Sequence, residues 1–235
     1  MRNDAWYKVD QNEALRKANV GCENDDLIIN QTEFIENLLI KYNMFNCDCE
    51  YTPAGSNFFE KLTKLVNKSY CELIGSLLYL SNLTRFDIAY CVNYLSRRVN
   101  KPRNSCWQAA KRVLWYLNGT RDLSIHYMRR EHTQKLIGYA DADFGSDPVD
   151  RKSFSDGYLF EIGGNFVDWS VRKQQTVALS TAEAEYVSLS LAASQGLWLS
   201  SLMSEMIDRE IEDSFTIFED NCSAVYLCKD TCNTN

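Results

Sequence analysis

Residues 135–143, KLIGYADAD, alternate between apolar and polar side chains, and this stretch decides the fold assignment. A period of two is typical of a half-buried β-strand. The side chains on one side of the predicted strand are those of Ile137, Tyr139, Asp141 and Asp143. The strand therefore presents two carboxylates on the same side near its carboxyl end.

Two further strand-like runs follow, residues 157–162 (GYLFEI) and 165–171 (NFVDWSV). The glycine pair at 163–164 between them indicates a hairpin. A helix beginning near Ser180 comes next, and residues 214–220 (SFTIFED) predict a fourth strand that leads into another helix. The element order β-β-β-α-β-α, in which one strand follows a helical crossover, predicts an α/β domain with a mixed sheet.

The long predicted helix carries its own start signal and an apolar stripe. Ser180 and Glu183 have the S-x-x-E spacing of a capping box, in which each side chain satisfies a free backbone N–H group. The stripe that we expect to be buried consists of Val187, Leu191, Trp198 and Leu202.

Upstream of these strands, the periodicity is helical. Residues 30–119 show apolar side chains at helical spacing in four stretches, separated by loop signals. We therefore expect three regions along the chain: residues 1–64, a helical region over residues 65–134, and the α/β domain over residues 135–235.

The charge of the chain is segregated. The net charge is −7 over 235 residues, but residues 135–235 hold seven basic and 17 acidic side chains, whereas residues 85–134 hold ten basic and three acidic ones. A basic stretch before an acidic domain is typical of a protein that contacts phosphates in one place and binds cations in another. Neither a signal peptide nor a membrane-spanning run is present, so we expect an intracellular protein whose nine cysteines are reduced thiols.

Three carboxylates stand at places where the predicted elements converge. Asp141 lies late on the first strand, Glu185 in the first turns of the long helix, and Asp220 at the end of the fourth strand. Clustered carboxylates repel one another unless divalent cations neutralise them, and Mg²⁺ prefers such oxygen ligands. The alternative is that these are ordinary solvated acids in an acidic segment.

Several ordered motifs, taken together, resemble the Pol polyprotein of copia-type LTR retrotransposons, from the end of the reverse transcriptase through most of the ribonuclease H domain. The motifs are residues 29–53 (INQTEFIENLLIKYNMFNCDCEYTP), 70–97 (YCELIGSLLYLSNLTRFDIAYCVNYLSR), 106–120 (CWQAAKRVLWYLNGT), 138–153 (GYADADFGSDPVDRKS), 167–190 (VDWSVRKQQTVALSTAEAEYVSLS) and 217–224 (IFEDNCSA).

The resemblance implies a remnant of the reverse transcriptase in residues 1–64, a linker in residues 65–134 and a ribonuclease H-like domain in residues 135–235. It implies that Asp141, Glu185 and Asp220 are catalytic and hold Mg²⁺, or Mn²⁺, during cleavage of the RNA strand of an RNA–DNA hybrid. The paired-aspartate motif of the polymerase is not present, so we do not expect DNA synthesis.

Departures from the pattern of the family favour an impaired copy. The unusual residues are Phe86, Cys106, Phe144 and an apparent insertion at Asp156. The resemblance also implies a further helix and a fourth carboxylate beyond Asn235, so we expect weak or lost cleavage, an exposed apolar sheet face and self-association. The alternative function is a non-catalytic relic or a domesticated module that binds nucleic acid or other proteins.

The basic stretch supplies candidate phosphate contacts. They are Arg97, Arg98, Lys101, Arg103, Lys111, Arg112, Arg129 and Arg130. They would contact the backbone of a nucleic acid, or they would form the solvated face of packed helices.

Overall fold

The computed structural model describes residues 18–23, 26–55, 69–129, 135–146, 150–207 and 215–232. The chain divides into two compact units, Met1–Arg129 and Arg130–Asn235.

The first unit combines helices with a small sheet. The helices in its described part are α1 (Thr32–Lys41), α2 (Ser69–Leu83), α3 (Ala89–Ser96), which follows a 3₁₀ turn at Phe86–Ile88, and α4 (Asn104–Gly119). The strands β1 (Asn19–Glu23), β2 (Asp26–Asn30) and β3 (Ile125–Tyr127) form an antiparallel sheet in the order β1-β2-β3. The helical character predicted for residues 30–119 is confirmed in the described ranges 30–55 and 69–119, and residues 56–68 lie outside the described part. The sheet was not predicted, because β2 and β3 are short and pair across all four helices.

A buried arginine forms hydrogen bonds between separate elements of the first unit. Arg85 is 2% exposed, and its guanidinium donates to both carboxylate oxygens of Asp87 at 3.0 and 2.7 Å. The same group donates to the carbonyl and the hydroxyl of Thr120, and the Tyr116 hydroxyl donates to Asp87 at 2.8 Å. A buried ion pair is tolerated when its remaining hydrogen-bonding atoms are satisfied in this way. The cluster therefore joins the turn before α3 to the end of α4.

The second unit contains four strands and two helices in its described part. In chain order they are β4 (Leu136–Asp143), β5 (Phe154–Ile162), β6 (Asn165–Ser170), α5 (Thr181–Ile207), β7 (Thr216–Phe218) and α6 (Cys222–Cys232). The sheet order is β6-β5-β4-β7, with β4, β5 and β6 antiparallel and β7 parallel to β4. The mixed α/β class and the predicted order of elements are confirmed. Gly163 and Gly164, with φ of 59° and 81°, form the tight turn between β5 and β6.

Helix α5 packs small residues on the sheet in its first turns and two large ones, Leu199 and Met203, in its later turns. Ala184, Ser188 and Ala192 are almost fully buried, whereas Leu191 and Trp198 are 39% and 56% exposed. The predicted buried stripe of Val187, Leu191, Trp198 and Leu202 is therefore wrong, since Val187 is only partly buried and the other three are exposed.

The reason is that aromatic rings from the sheet side fill the space at this interface. The ring of Phe160 lies against Gly138 of β4, and the ring of Phe215 lies against Gly196 of α5. A larger side chain would have no room at Gly196, where an added Cβ atom would lie 2.3 Å from Cε2 of Phe215. The predicted stripe lies roughly a quarter-turn around the helix from the residues that are buried.

The face of the sheet away from α5 carries exposed aromatic rings. Tyr139 of β4 and Phe218 of β7 are register partners, and their rings stack at a centroid distance of 5.5 Å. Among the described residues, no helix is both long and apolar enough to cross a membrane. None of the eight cysteines whose side chains the structure describes forms a disulfide, as the sequence predicts.

We predict that Gly138→Ala destabilises the second unit. A Cβ atom at this position would lie 2.5 Å from Cε1 of Phe160, whose ring is fully buried and cannot move aside. Overpacking of this kind costs about 1–3 kcal/mol in the free energy of unfolding, which urea denaturation measures. As a control, Gly75→Ala in α2 adds a Cβ atom to open space and should stabilise by about 0.5–1 kcal/mol. Equal effects of the two substitutions would contradict this account of the interface.

Candidate functional site

Strand β4 places Asp141 at the open end of the sheet. The side chains along β4 alternate, so that Ala140 and Ala142 are buried while Asp141 is exposed on the other side. The Ser188 hydroxyl of α5 donates to the Asp141 carbonyl at 2.9 Å and lies 3.3 Å from the Gly157 carbonyl. This contact fixes the first turns of α5 against β4 and β5.

The capping box at the start of α5 orients Glu185. The Ser180 hydroxyl accepts from the Glu183 N–H at 3.1 Å, and the Glu183 carboxylate accepts from the Leu179 N–H at 2.7 Å, which confirms the predicted cap. Glu183 is therefore exposed at the helix start. Glu185 lies two residues later, roughly 200° around the helix, and is only 8% exposed.

Asp220 reaches the site from β7. Because β7 runs parallel to β4, the carboxyl ends of both strands lie at the same edge of the sheet. Asp220 follows β7 by two residues, and Asn221 then caps α6 by accepting from the Ser223 and Ala224 N–H groups at 3.0 and 3.1 Å. The turn between β7 and α6 thus holds Asp220 at the end of the sheet.

The structure brings together the three carboxylates that the sequence analysis singled out. One oxygen each from Asp141, Glu185 and Asp220 lies within 4.8 Å of the others. Asp143, on the same side of the predicted strand, follows Asp141 across an irregularity in the β4–β5 pairing and is not a member of this group. Hard oxygen donors at this spacing could hold a divalent cation.

The proximity of these carboxylates is costly in the absence of a cation. Burial, then the charges of Glu219, Asp141 and Asp220, raises the pKa of Glu185 to about 7. Burial, followed by the charges of Asp220 and Asp143, also raises the pKa of Asp141. Each ionised group therefore makes ionisation of its neighbours less favourable.

Glu219 belongs to the same acidic group, although the sequence analysis did not single it out. Its pKa is raised by burial and by the charges of Asp220 and Asp141. Because neighbouring residues of a strand point to opposite faces, the sequence did not indicate that an acid beside Asp220 would share its site. The strand ends at Phe218, however, and alternation does not apply beyond it. The only sequence signal was the adjacency of two acids in residues 219–220.

Two carboxylate oxygens in this group lack a hydrogen-bond donor. Oε2 of Glu185 and Oε2 of Glu219 are inaccessible to solvent and have no partner among the described residues. A buried anionic oxygen without a donor is expensive unless a cation lies beside it. The residues present therefore fit a divalent cation.

The basic candidates of the first unit have different surroundings. Arg97, Lys101, Arg103 and Arg129 are exposed, whereas Arg98, Lys111 and Arg112 are partly buried. Arg130 lies outside the described residues.

Two of the partly buried arginines already have partners. Arg112 forms an ion pair with Glu50 at 2.8 Å and donates to Thr52 at 3.2 Å, so its charge is compensated. The guanidinium of Arg98 lies 3.7 Å from the ring centroid of Tyr94 and donates to the Tyr94 carbonyl. Among the predicted phosphate contacts, the exposed Lys101 and Arg103 are better placed to meet a ligand.

Comparison with known proteins gives several relatives. Secreted RxLR effector protein 161 of Plasmopara viticola is 44% identical over 133 residues, which are 57% of this chain and 92% of that protein. The uncharacterized mitochondrial protein AtMg00810 of Arabidopsis thaliana is 32% identical over 178 residues, 74% of this chain and 73% of that protein. The retrovirus-related Pol polyprotein from transposon RE2 of the same plant is 35% identical over 206 residues, 86% of this chain. The chain spans only 14% of the length of that polyprotein.

The other two comparisons give no match. No family model matches the chain, and no solved structure matches it at a significant level.

We predict that Glu185 makes the stability of the protein fall as pH rises. Its pKa is about 7 in the folded protein against an ordinary value of 4.5, so the folded state binds the proton more tightly than the unfolded state. The resulting stabilisation is complete below about pH 4.5 and is lost as pH rises through 7. In metal-free buffer, Glu185→Gln should therefore raise the free energy of unfolding at pH 8 by roughly 1–3 kcal/mol.

Urea denaturation between pH 5 and pH 8 measures this effect. Glu183→Gln is the matched control, because Glu183 is exposed and its amide can still accept from the Leu179 N–H. The control should keep the pH dependence of the wild type. An equal loss of stability from pH 5 to pH 8 in the wild type and in Glu185→Gln would contradict the prediction.

Proposed function

Because the chain belongs to the family of retrovirus-related Pol polyproteins of copia-type transposons, we propose that its second unit is a ribonuclease H domain. The proposed reaction is hydrolysis of the RNA strand of an RNA–DNA hybrid. The observation that carries this proposal is the meeting of Asp141, Glu185 and Asp220, from three separate elements, within 4.8 Å. The β-β-β-α-β-α order and the mixed sheet support it, since both are expected of such a domain.

The three carboxylates would hold Mg²⁺ or Mn²⁺. When bound, the cation supplies Lewis-acid stabilisation of the negative charge that builds up on the phosphate oxygens. Asp141 and Asp220 are exposed at the edge of the sheet, where a phosphodiester can approach. Glu185 is buried behind them and is fixed by the capping box and by the Ser188 contact in the next turn.

We propose further that the first unit contacts the phosphate backbone of the hybrid. Lys101 and Arg103 are both exposed and lie in the segment between α3 and α4, which begins with the exposed Arg97. Exposed cations of this kind bind phosphates without sequence preference, and they release counterions when they do.

The cleavage test uses the full chain with a labelled RNA–DNA hybrid in Mg²⁺ and in Mn²⁺. Replacement of any of the three carboxylates (Asp141→Asn, Glu185→Gln or Asp220→Asn) should lower the cleavage rate by about 100-fold or more, since each removes a cation ligand. Glu183→Gln, which leaves the cluster intact, should cleave at nearly the wild-type rate. If Glu183→Gln loses as much activity as Glu185→Gln, the assignment of the site is wrong.

Binding of an uncleavable hybrid should depend on salt through Lys101 and Arg103. Replacing both with glutamate should reduce the slope of log affinity against log salt concentration by about 2, because about one phosphate contact is lost per residue. Lys229→Glu, an exposed position on α6, is the matched control and should leave the slope unchanged. A slope that is the same in the double variant and the wild type would rule out these phosphate contacts.

A second candidate function is a non-catalytic interaction module, and the exposed apolar residues of α5 favour it. Leu197, Trp198 and Met206 are all more than half exposed, which is unusual for a helix of a monomeric domain. One relative in the comparison is named as a secreted effector rather than as a polyprotein. The cleavage assay separates the two functions, because a folded chain that self-associates but does not cleave in either metal favours the module.

A further inference from the structure

A buried glutamine links the segment before α5 to the first turn of that helix. Gln174 lies between β6 and α5 and is 1% exposed, and its Nε2 donates to the Ala184 carbonyl at 2.8 Å. The opposite orientation of the amide would place its oxygen against that carbonyl oxygen, so the direction of the hydrogen bond is fixed. Ala184 is itself fully buried and immediately precedes Glu185. Gln174 therefore fixes the backbone next to Glu185.

The same glutamine is held from its other side by the residue before β5. Its N–H donates to the Ser153 carbonyl at 3.1 Å. The Ser153 hydroxyl is fully buried and accepts from the Gly145 N–H at 3.2 Å, in the segment that follows β4. A continuous series of hydrogen bonds thus connects the end of β4 with the first turn of α5. These are the two elements that carry Asp141 and Glu185.

The amide of Gln174 is only half satisfied. Its Oε1 is inaccessible to solvent and has no hydrogen-bond partner in the part of the chain that the structure describes. An unsatisfied buried acceptor costs about as much free energy as one hydrogen bond contributes, so the amide adds little to the stability of the fold. An apolar side chain of the same length would fill the space equally well. It would not, however, hold the Ala184 carbonyl.

We propose that Gln174 is a positioning residue for the carboxylate site, and that it sets the separation between Glu185 and Asp141. The inference rests on the proposed function, because it concerns the carboxylates that would hold the cation. Ser188 fixes α5 to the sheet in the turn after Glu185, whereas Gln174 fixes the residue before it. Without Gln174, the first turn of α5 is attached through Ser188 alone and can shift. A cation held by ligands from separate elements is sensitive to such a shift.

Gln174→Met tests the proposal, because it removes the hydrogen-bond donor and keeps a side chain of similar length. Two matched controls receive the same substitution. Gln175→Met changes an exposed neighbour, whose hydrogen bond with Lys152 is made by the backbone carbonyl. Gln31→Met removes an amide that is equally buried, but one that hydrogen-bonds to Thr84 in the first unit.

The experiment measures the dissociation constant of Mn²⁺ for the full chain by electron paramagnetic resonance, and the urea midpoint of unfolding for each variant. Gln174→Met should bind Mn²⁺ about tenfold or more weakly than the wild type, the usual effect of losing a residue that orients a metal ligand. Its urea midpoint should stay close to that of the wild type. Both controls should bind Mn²⁺ as the wild type does, even if Gln31→Met unfolds at a lower urea concentration. Wild-type affinity in folded Gln174→Met would overturn the inference.

Ser153→Ala keeps the test decisive if Gln174→Met does not fold. It removes only the hydroxyl that accepts from the Gly145 N–H, at the other end of the same series of hydrogen bonds. This variant should bind Mn²⁺ several times more weakly than the wild type. If its affinity is unchanged, the positioning role is wrong.

The outcome is separable from the outcome for the proposed function. Weaker Mn²⁺ binding by Gln174→Met, together with no hybrid cleavage by the wild type, supports the positioning role and removes the ribonuclease. Cleavage that depends on Asp141, together with unchanged Mn²⁺ binding by Gln174→Met, supports the ribonuclease and removes Gln174 from the site. A wild type that binds no Mn²⁺ overturns both.

Discussion

The close contact between helix α5 and the sheet is the constraint on which the second unit depends. On the helix, Gly196 lies against the ring of Phe215, and within the sheet Gly138 of β4 lies against the ring of Phe160 of β5. The Ser188 hydroxyl can reach the backbone of β4 only because the helix lies so close. One turn earlier on the same helix, Glu185 is brought beside Asp141. The packing of α5 on the sheet therefore also determines the position of Glu185 relative to Asp141.

The free energy gained by apolar burial at this interface offsets the cost of bringing the carboxylates together. Carboxylates repel one another, and burial of Glu185 adds a desolvation cost that the raised pKa of this group records. The protein tolerates both because its apolar core, with Phe160 and Ala192 fully buried, fixes the elements that carry the acids. The carboxylates of the site therefore have raised pKa values, which is typical of functional sites.

The sequence predicted much of the fold and of the site, for identifiable reasons. Alternation in β4, the glycine pair and the capping box are local signals, and all three elements formed where these signals stand. The convergence of Asp141 and Asp220 was expected from their places late in one strand and at the end of another, and the parallel pairing of those strands brings it about. The buried face of α5 was mispredicted, because which face is buried depends on side chains of the sheet, such as Phe160 of β5. Glu219 was missed because its orientation depends on where β7 ends, and the small sheet of β1 to β3 was missed because its pairing is distant in sequence.

The parallel pairing of β7 with β4 has a consequence for how the site comes into being. Antiparallel β4, β5 and β6 can form from neighbouring residues, but Ile137 meets Thr216 only after α5 has crossed the sheet. Pairing between residues so far apart is slow to form, since the intervening chain must be ordered first. On a ribosome, the hairpin strands can fold while the acids at 219 and 220 are still inside the exit tunnel. The carboxylates of Asp141, Glu185 and Asp220 therefore come together only late in the synthesis of the chain.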